Sequence, residues 1–233
     1  MTRGRTLTLY RHRLPHWEVE EGRYFVTISL SGCVPHDIAE RIHSIAQRLR
    51  DHEEWDRDAF HRKVFLEMED WLHRNADRRE LEQSDIAAMV MEAIRYRQER
   101  EQWRVLEYCV MPNHLHLFVQ SLLGAERGAM MDSLSRFKRW TGHQAMKLLG
   151  RHGEFWHNEW FDHWSRTGEE DARIRAYIRN NPVKAGLVTD YQDWPYGSWA
   201  GKCVGRAEAP EYAGRAEAGD SGQGNEGDEG EKA

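Results

Sequence analysis

A chain of 233 residues, 39% hydrophobic and 31% charged, can bury one sizeable core. It holds no apolar run near the ~20 residues that span a bilayer and opens on a basic stretch with no apolar h-region, so a soluble, cytoplasmic protein without a membrane partner is expected. Cys33, Cys109 and Cys203 are too few and too scattered for a disulfide framework or a cysteine-ligated zinc site, while residues 205–233 carry -5 of the formal net charge of -6, so the nearly neutral remainder does not exclude a nucleic-acid partner.

In chain order, Arg3, Arg5, Arg11 and Arg13 make a basic start with little to bury, expected to be mobile until something binds it. Residues 24–30 (YFVTISL) are β-branched and aromatic and end at Ser31-Gly32, which predicts a strand. Three helical stripes follow: Ile38, Ile42, Ile45 and Leu49; then Phe60, Val64, Met68, Trp71 and Leu72; then Ile86, Met89, Val90, Ala93 and Ile94. Residues 103–111 and 114–120 predict a hairpin joined at Pro112-Asn113. Over 128–149, Met130, Leu134, Phe137, Thr141 and Leu148 recur at helical spacing opposite Arg136, Lys138, Arg139, Lys147 and Arg151, a basic stripe that suits either phosphates or plain solvent.

Residues 159–166 (EWFDHWSR) fit a helix or a strand and are assigned as a strand, with Trp160, Asp162 and Trp164 on one face. Thr167 and Glu170 form a capping-box pattern opening a helix that carries Ile174, Tyr177 and Ile178. That helix is expected to stop near Asn180. Asn181 then caps a short helix with Pro182 at its first position and Gly186 at its end. Beyond Cys203, glycine, alanine and glutamate dominate, and disorder is expected.

On a strand, His114 and His116 project to the same side while Leu115 and Leu117 point to the other. Two imidazoles can hold one divalent cation but are too few for a closed structural zinc site, so an open site is implied. Taken alone, the pair also reads as two ordinary polar-face histidines, and Tyr177 as a core aromatic. A phenol with a reference pKa of about 10 turns nucleophilic only beside a group that favours the phenolate.

Together these strings are familiar. Residues 108–118 (YCVMPNHLHLF) resemble the His-hydrophobic-His motif of HUH-type tyrosine transposases. Phe155-Trp156 through Phe161-Asp162-His163 and Arg166, then 177–188 (YIRNNPVKAGLV) and 194–199 (WPYGSW), resemble the C-terminal half of REP-associated tyrosine transposases. The likeness runs in unchanged order from about Tyr24 to Trp199. It implies an α+β fold, a ferredoxin-like antiparallel sheet with helices packed on one face, enlarged by a helical insertion between the first two strands. By the same resemblance, His114 and His116 are metal ligands completed by Asn181, Tyr177 is the catalytic nucleophile, and the cofactor is Mg2+ or Mn2+. The activity implied is cleavage and joining of single-stranded or hairpin DNA through a 5'-phosphotyrosine, by a monomer or homodimer. Arg136, Lys138, Arg139, His163 and Arg166 would meet the DNA, and Trp160 and Trp164 would stack on bases. The expected organisation is a basic arm over 1–17, a catalytic domain over 18–203 and an acidic tail over 204–233. A non-catalytic nucleic-acid-binding module and a replication-initiator nickase remain as rival classes. The long helical stretch after the first strand and the acidic tail depart from the family pattern.

Overall fold

The computed structural model describes residues 6–11, 15–33, 57–74, 77–122 and 129–200. The stripe from Ile38 to Leu49 and the acidic tail lie outside the described residues. In order, the elements are β1 (Thr6–Arg11), β2 (Pro15–Val19), β3 (Arg23–Ser29), α1 (Arg57–Arg74), α2 (Ser84–Glu99), β4 (Trp103–Val110), β5 (His114–Ser121), α3 (Ala129–Leu148), β6 (Phe161–Ser165) and α4 (Gly168–Lys184). Among the described residues no helix is long and apolar enough to cross a membrane.

Strand β1 and the start of β2 fall within the stretch read as a mobile arm, residues 1–17. Their backbones pair antiparallel from Thr6↔Val19 to Arg11↔Pro15. The alternating Thr-Leu-Thr-Leu-Tyr run supplies strand patterning, which the flanking arginines obscure in the sequence.

The main sheet has strand order β4-β5-β3-β6, with every pair antiparallel. Among the described residues, two helices separate β3 from β4, a tight turn joins β4 to β5, and one helix separates β5 from β6, the ferredoxin-like sequence of elements. The α+β antiparallel architecture is therefore as expected, but the helices cover both faces. On one face Tyr24, Val26, Ile28, Leu115 and Leu117 are buried beneath α2 and α3. There the Trp103 and Phe137 rings sit 5.6 Å apart, with the Arg97 guanidinium over both. On the other face Phe25, Thr27, His114, His116 and Phe118 lie beneath α1 and α4, whose Phe65 and Tyr177 pack against Phe25.

A register shift between Val105 and Glu107 decides what β4 presents. Trp103 and Val105 face α2 and α3. The extra residue then turns Glu107 and Cys109 to the α4 side. Buried there, Glu107 accepts hydrogen bonds from Arg179 at 2.7 and 3.1 Å and from the Ser198 hydroxyl, binding α4 and the C-terminal stretch to the sheet. That stretch covers the outer edge of β4, through Val110 N–H to Tyr196 O at 2.8 Å and Ser198 N–H to Tyr108 O at 3.0 Å. Only glycine fits at 197, because a Cβ there would lie 2.2 Å from the Trp199 ring.

Helix α4 begins as the capping pattern requires: the Thr167 hydroxyl accepts from Glu170 N–H at 3.1 Å, and three acids occupy the first turn. Its end corrects the sequence reading. The helix runs through Asn180 and Asn181 to Lys184 with Pro182 inside it. It stops at a Schellman turn in which Leu187 N–H meets Pro182 O, Gly186 N–H meets Val183 O, and Gly186 has φ of +67°. The pre-proline bias against helix at Asn181 is overridden because its buried side chain is fixed by tertiary partners. Thr167→Ala is expected to destabilise the fold by about 1 kcal/mol, read as a lower urea midpoint with an unchanged slope.

Candidate metal and tyrosine site

The strand period and the helical turn bring six polar side chains together on the α1–α4 face. From β5, His114 Nε2 and His116 Nε2 stand 3.0 Å apart. Their outer nitrogens are held from behind: His114 Nδ1 lies 2.6 Å from Asn113 Oδ1, and His116 Nδ1 lies 3.0 Å from Thr27 Oγ1. From α1, Glu69 places Oε1 3.5 Å from His116 Nε2. From α4, Tyr177 donates its hydroxyl to Glu69 Oε2, and its ring meets His116 edge-on at 5.5 Å. Asn181, one turn after Tyr177, places Oδ1 3.3 Å from Nε2 of His73, itself one turn after Glu69.

His114 and His116 are at most 1% exposed and Glu69 is 2% exposed. Burial, with His73 nearby, holds His114 down to about 3. Burial and the imidazoles of His114 and His73 hold His116 well below the ordinary histidine range, partly countered by Asn181. Both are therefore neutral, the form that ligates metals. Burial pushes Glu69 up to about 7 against the hydrogen bonds of Tyr177 and Asn181 and the charge of Lys184. The Tyr177 phenol is raised above its ordinary value by burial and by the charge and hydrogen bond of Glu69, while Asn181 favours the phenolate.

Two imidazole nitrogens and a buried carboxylate oxygen thus share one small volume, all ligand atoms lying within 4.8 Å of one another. Among the described residues, Glu69 Oε1 has no hydrogen-bond donor. An uncompensated buried carboxylate oxygen is costly, and a divalent cation satisfies it together with the two neutral imidazoles. The mixed nitrogen and oxygen set suits Mn2+ better than the harder Mg2+.

The cluster contains His114, His116, Tyr177 and Asn181 as the sequence motifs placed them. Glu69 and His73 escaped sequence reading. The available signal was an acid between Met68 and Leu72 on the apolar stripe of α1, where a helix face buried in a core has no ordinary use for a carboxylate.

The residues expected on DNA divide differently. Lys138 is buried, its Nζ donating to His157 O at 2.7 Å and Asn158 O at 2.6 Å beneath the Trp160 ring, and desolvation lowers its pKa to about 8 against Glu159 and Glu154. It clamps the loop before β6 and is no part of an exposed phosphate stripe. Arg136 and Arg139 are exposed on α3, over the sheet face opposite the histidines. Trp164 pairs in register with Tyr24, also on that opposite face, under the Arg166 guanidinium. His163 lies on the histidine face opposite Phe25, its Nε2 2.6 Å from Glu170 Oε1, and Glu170 Oε2 takes Arg166 N–H at 2.8 Å. Burial alone would raise the Glu170 carboxyl, but these hydrogen bonds bring it down to about 2. His163 and the Arg166 backbone thus fasten the start of α4.

Residues 71–181 match a family model described as "Transposase IS200 like". A protein of Haemophilus influenzae named as a REP-associated tyrosine transposase is 26% identical over 108 residues, covering 43% of this chain and 61% of that protein. The chain therefore spans about three fifths of the length of the curated relative it matches. A solved structure of a REP-associated tyrosine transposase bound to a REP hairpin aligns with a TM-score of 0.48 at 18% identity, over 82% of this chain and 81% of that one.

Proposed function

We propose that this chain, whose residues 71–181 match the IS200-like transposase family model, cleaves and rejoins single-stranded or hairpin DNA through a 5'-phosphotyrosine at Tyr177. The observation that carries this reading is that the Tyr177 hydroxyl is hydrogen-bonded to the carboxylate whose other oxygen faces the paired imidazoles. His114, His116 and Glu69 are the residues that would hold Mn2+ or Mg2+, and such a cation polarises a phosphate oxygen and screens developing negative charge. Asn181, the ligand implied by the family pattern, has Oδ1 bonded to His73 and acts in this reading by favouring the anionic forms of Tyr177 and Glu69.

Tyr177 Oη attacks phosphorus and hands its proton to Glu69 Oε2, already its hydrogen-bond partner. The Oη–P bond forms and the P–O3' bond breaks, leaving a 3'-hydroxyl once that oxygen is protonated. In the reverse sense that hydroxyl attacks the phosphotyrosine and regenerates the phenol, so joining needs no nucleotide cofactor. Arg136, Arg139, His163 and Arg166 remain the proposed contacts to the DNA backbone.

Incubation of the full chain with a hairpin-bearing single-stranded oligonucleotide and Mn2+ is expected to give a covalent, SDS-resistant adduct that EDTA prevents. Oligonucleotide binding that survives EDTA with no adduct under any divalent cation would instead identify a non-catalytic binding module.

A further inference from the structure

We infer that Asn113 is a positioning residue that fixes His114 in the tautomer with Nδ1 protonated and Nε2 bare, making it the preset member of the imidazole pair. This rests on the reading of His114 and His116 as cation ligands. Asn113 is 4% exposed, in the turn between β4 and β5. Its amide orientation is not free. Nδ2 donates to the Leu72 carbonyl at 2.8 Å, and since a carbonyl only accepts, the flipped amide would set two oxygens against each other. Oδ1 therefore faces His114 Nδ1 at 2.6 Å. That oxygen only accepts, so Nδ1 carries the hydrogen, and a neutral imidazole has no second one to place on Nε2.

His116 is held differently. Its Nδ1 partner is the Thr27 hydroxyl, which donates or accepts by rotating. With His114 Nε2 bare and 3.0 Å away, His116 Nε2 carries the hydrogen between them in the metal-free chain, and Thr27 donates to Nδ1. For both Nε2 lone pairs to be available to a cation, His116 would have to carry its hydrogen on Nδ1, with the Thr27 hydroxyl turned to accept it. One histidine is fixed by an amide and the other is adjustable through a hydroxyl.

Asn113 also reaches beyond His114. Leu72 O lies in the last turn of α1, three residues after Glu69, so one amide sets the tautomer of a ligand on β5 and anchors the helix that supplies the carboxylate. This is the carbonyl or amide support behind a ligating imidazole that orients metal sites generally, and its loss costs about 10–100-fold in metal affinity.

The test combines imidazole 15N NMR on the metal-free full chain with Mn2+ titration. Wild type is expected to show His114 with a pyrrole-like Nδ1 and a pyridine-like Nε2. Asn113→Ala is expected to lose that signature and to bind Mn2+ about 10–100-fold more weakly. Asn113→Asp keeps an acceptor for Nδ1, so the His114 signature should return; it loses the donor to Leu72 O. A wild-type His114 protonated at Nε2, or an unchanged His114 signature in Asn113→Ala, overturns the inference, and the wild-type spectrum decides even if Asn113→Ala fails to fold. Should the signatures behave as expected while wild type binds no Mn2+, the tautomer assignment stands and the metal-dependent function falls.

Discussion

Tyr177→Phe is expected to form no SDS-resistant DNA adduct at all, while retaining its fold and its capacity for Mn2+. The phenylalanine ring keeps the packing of Tyr177 against Phe25 and Phe65, whose centroids lie 5.9 and 5.2 Å away, and its edge-on contact with His116. What disappears is one oxygen. Glu69 Oε2 then loses its donor inside the core, which costs about 1–3 kcal/mol of stability. The Tyr177 hydrogen bond also helps keep Glu69 from rising further. The variant's carboxyl therefore holds its proton to higher pH, and Mn2+ binding has to be compared with wild type at alkaline pH, where that competition vanishes. Under those conditions Mn2+ binding without an adduct isolates the phenol as the nucleophile. Adduct formation by Tyr177→Phe would mean that another residue attacks, and the cluster would lose its catalytic reading.

The parts of this site legible in the sequence are those whose geometry is local. Two residues apart on a strand fixes the shared direction of His114 and His116, and Thr167 with Glu170 fixes where the tyrosine's helix begins. The face occupied by Trp164 is not local. It depends on β6 pairing so that Trp164 falls opposite Tyr24 and His163 opposite Phe25, a register that no window of 159–166 contains. Glu69 is only half legible for a related reason: its place between Met68 and Leu72 on the apolar stripe marks it as unusual, but what the carboxylate does depends on the opposing strand and its histidines.

Local rules also failed where tertiary contacts outweighed them. The bias at Asn181-Pro182 is modest beside the loss of a buried polar amide bonded to His73, so the helix continues through it. Lys138 shares a stripe with exposed Arg136 and Arg139, but its long stem lets the ammonium reach two backbone carbonyls beneath Trp160. A charge count along the helix cannot distinguish these fates.

The metal-free protein is expected to lose stability as pH falls from about 6.5 toward 4.5, and Glu69→Gln to make that loss steeper. The unfolded chain protonates each histidine near 6.5, whereas the fold keeps His114 unprotonated to about 3 and His116 well below its ordinary value. Two protons therefore bind the unfolded state in excess, and stability rises with pH in this window. His73, depressed chiefly by burial and by Lys184, acts in the same direction. Glu69 acts oppositely. The fold holds its proton to about 7 while the unfolded chain releases it near 4.5, so its contribution is complete below 4.5 and is lost as pH rises to about 7. Counting His114, His116 and Glu69 alone, the net difference between 4.5 and 6.5 is about one proton, a slope of about 1 kcal/mol per pH unit, to which His73 adds; without the carboxyl it approaches two protons and about 3 kcal/mol per unit. Urea unfolding at pH 5, 6 and 7 reads this difference directly. Bound through this carboxylate, Mn2+ would reverse the role of Glu69, because binding requires the carboxylate and releases its proton. The thermal stabilisation by Mn2+ should accordingly grow between pH 5.5 and about 7.5 in wild type and be smaller in Glu69→Gln. If the wild-type gain instead does not vary with pH, or Glu69→Gln gains as much, the cation is not bound through this carboxylate, and the third ligand has to be sought on α4 at Asn181.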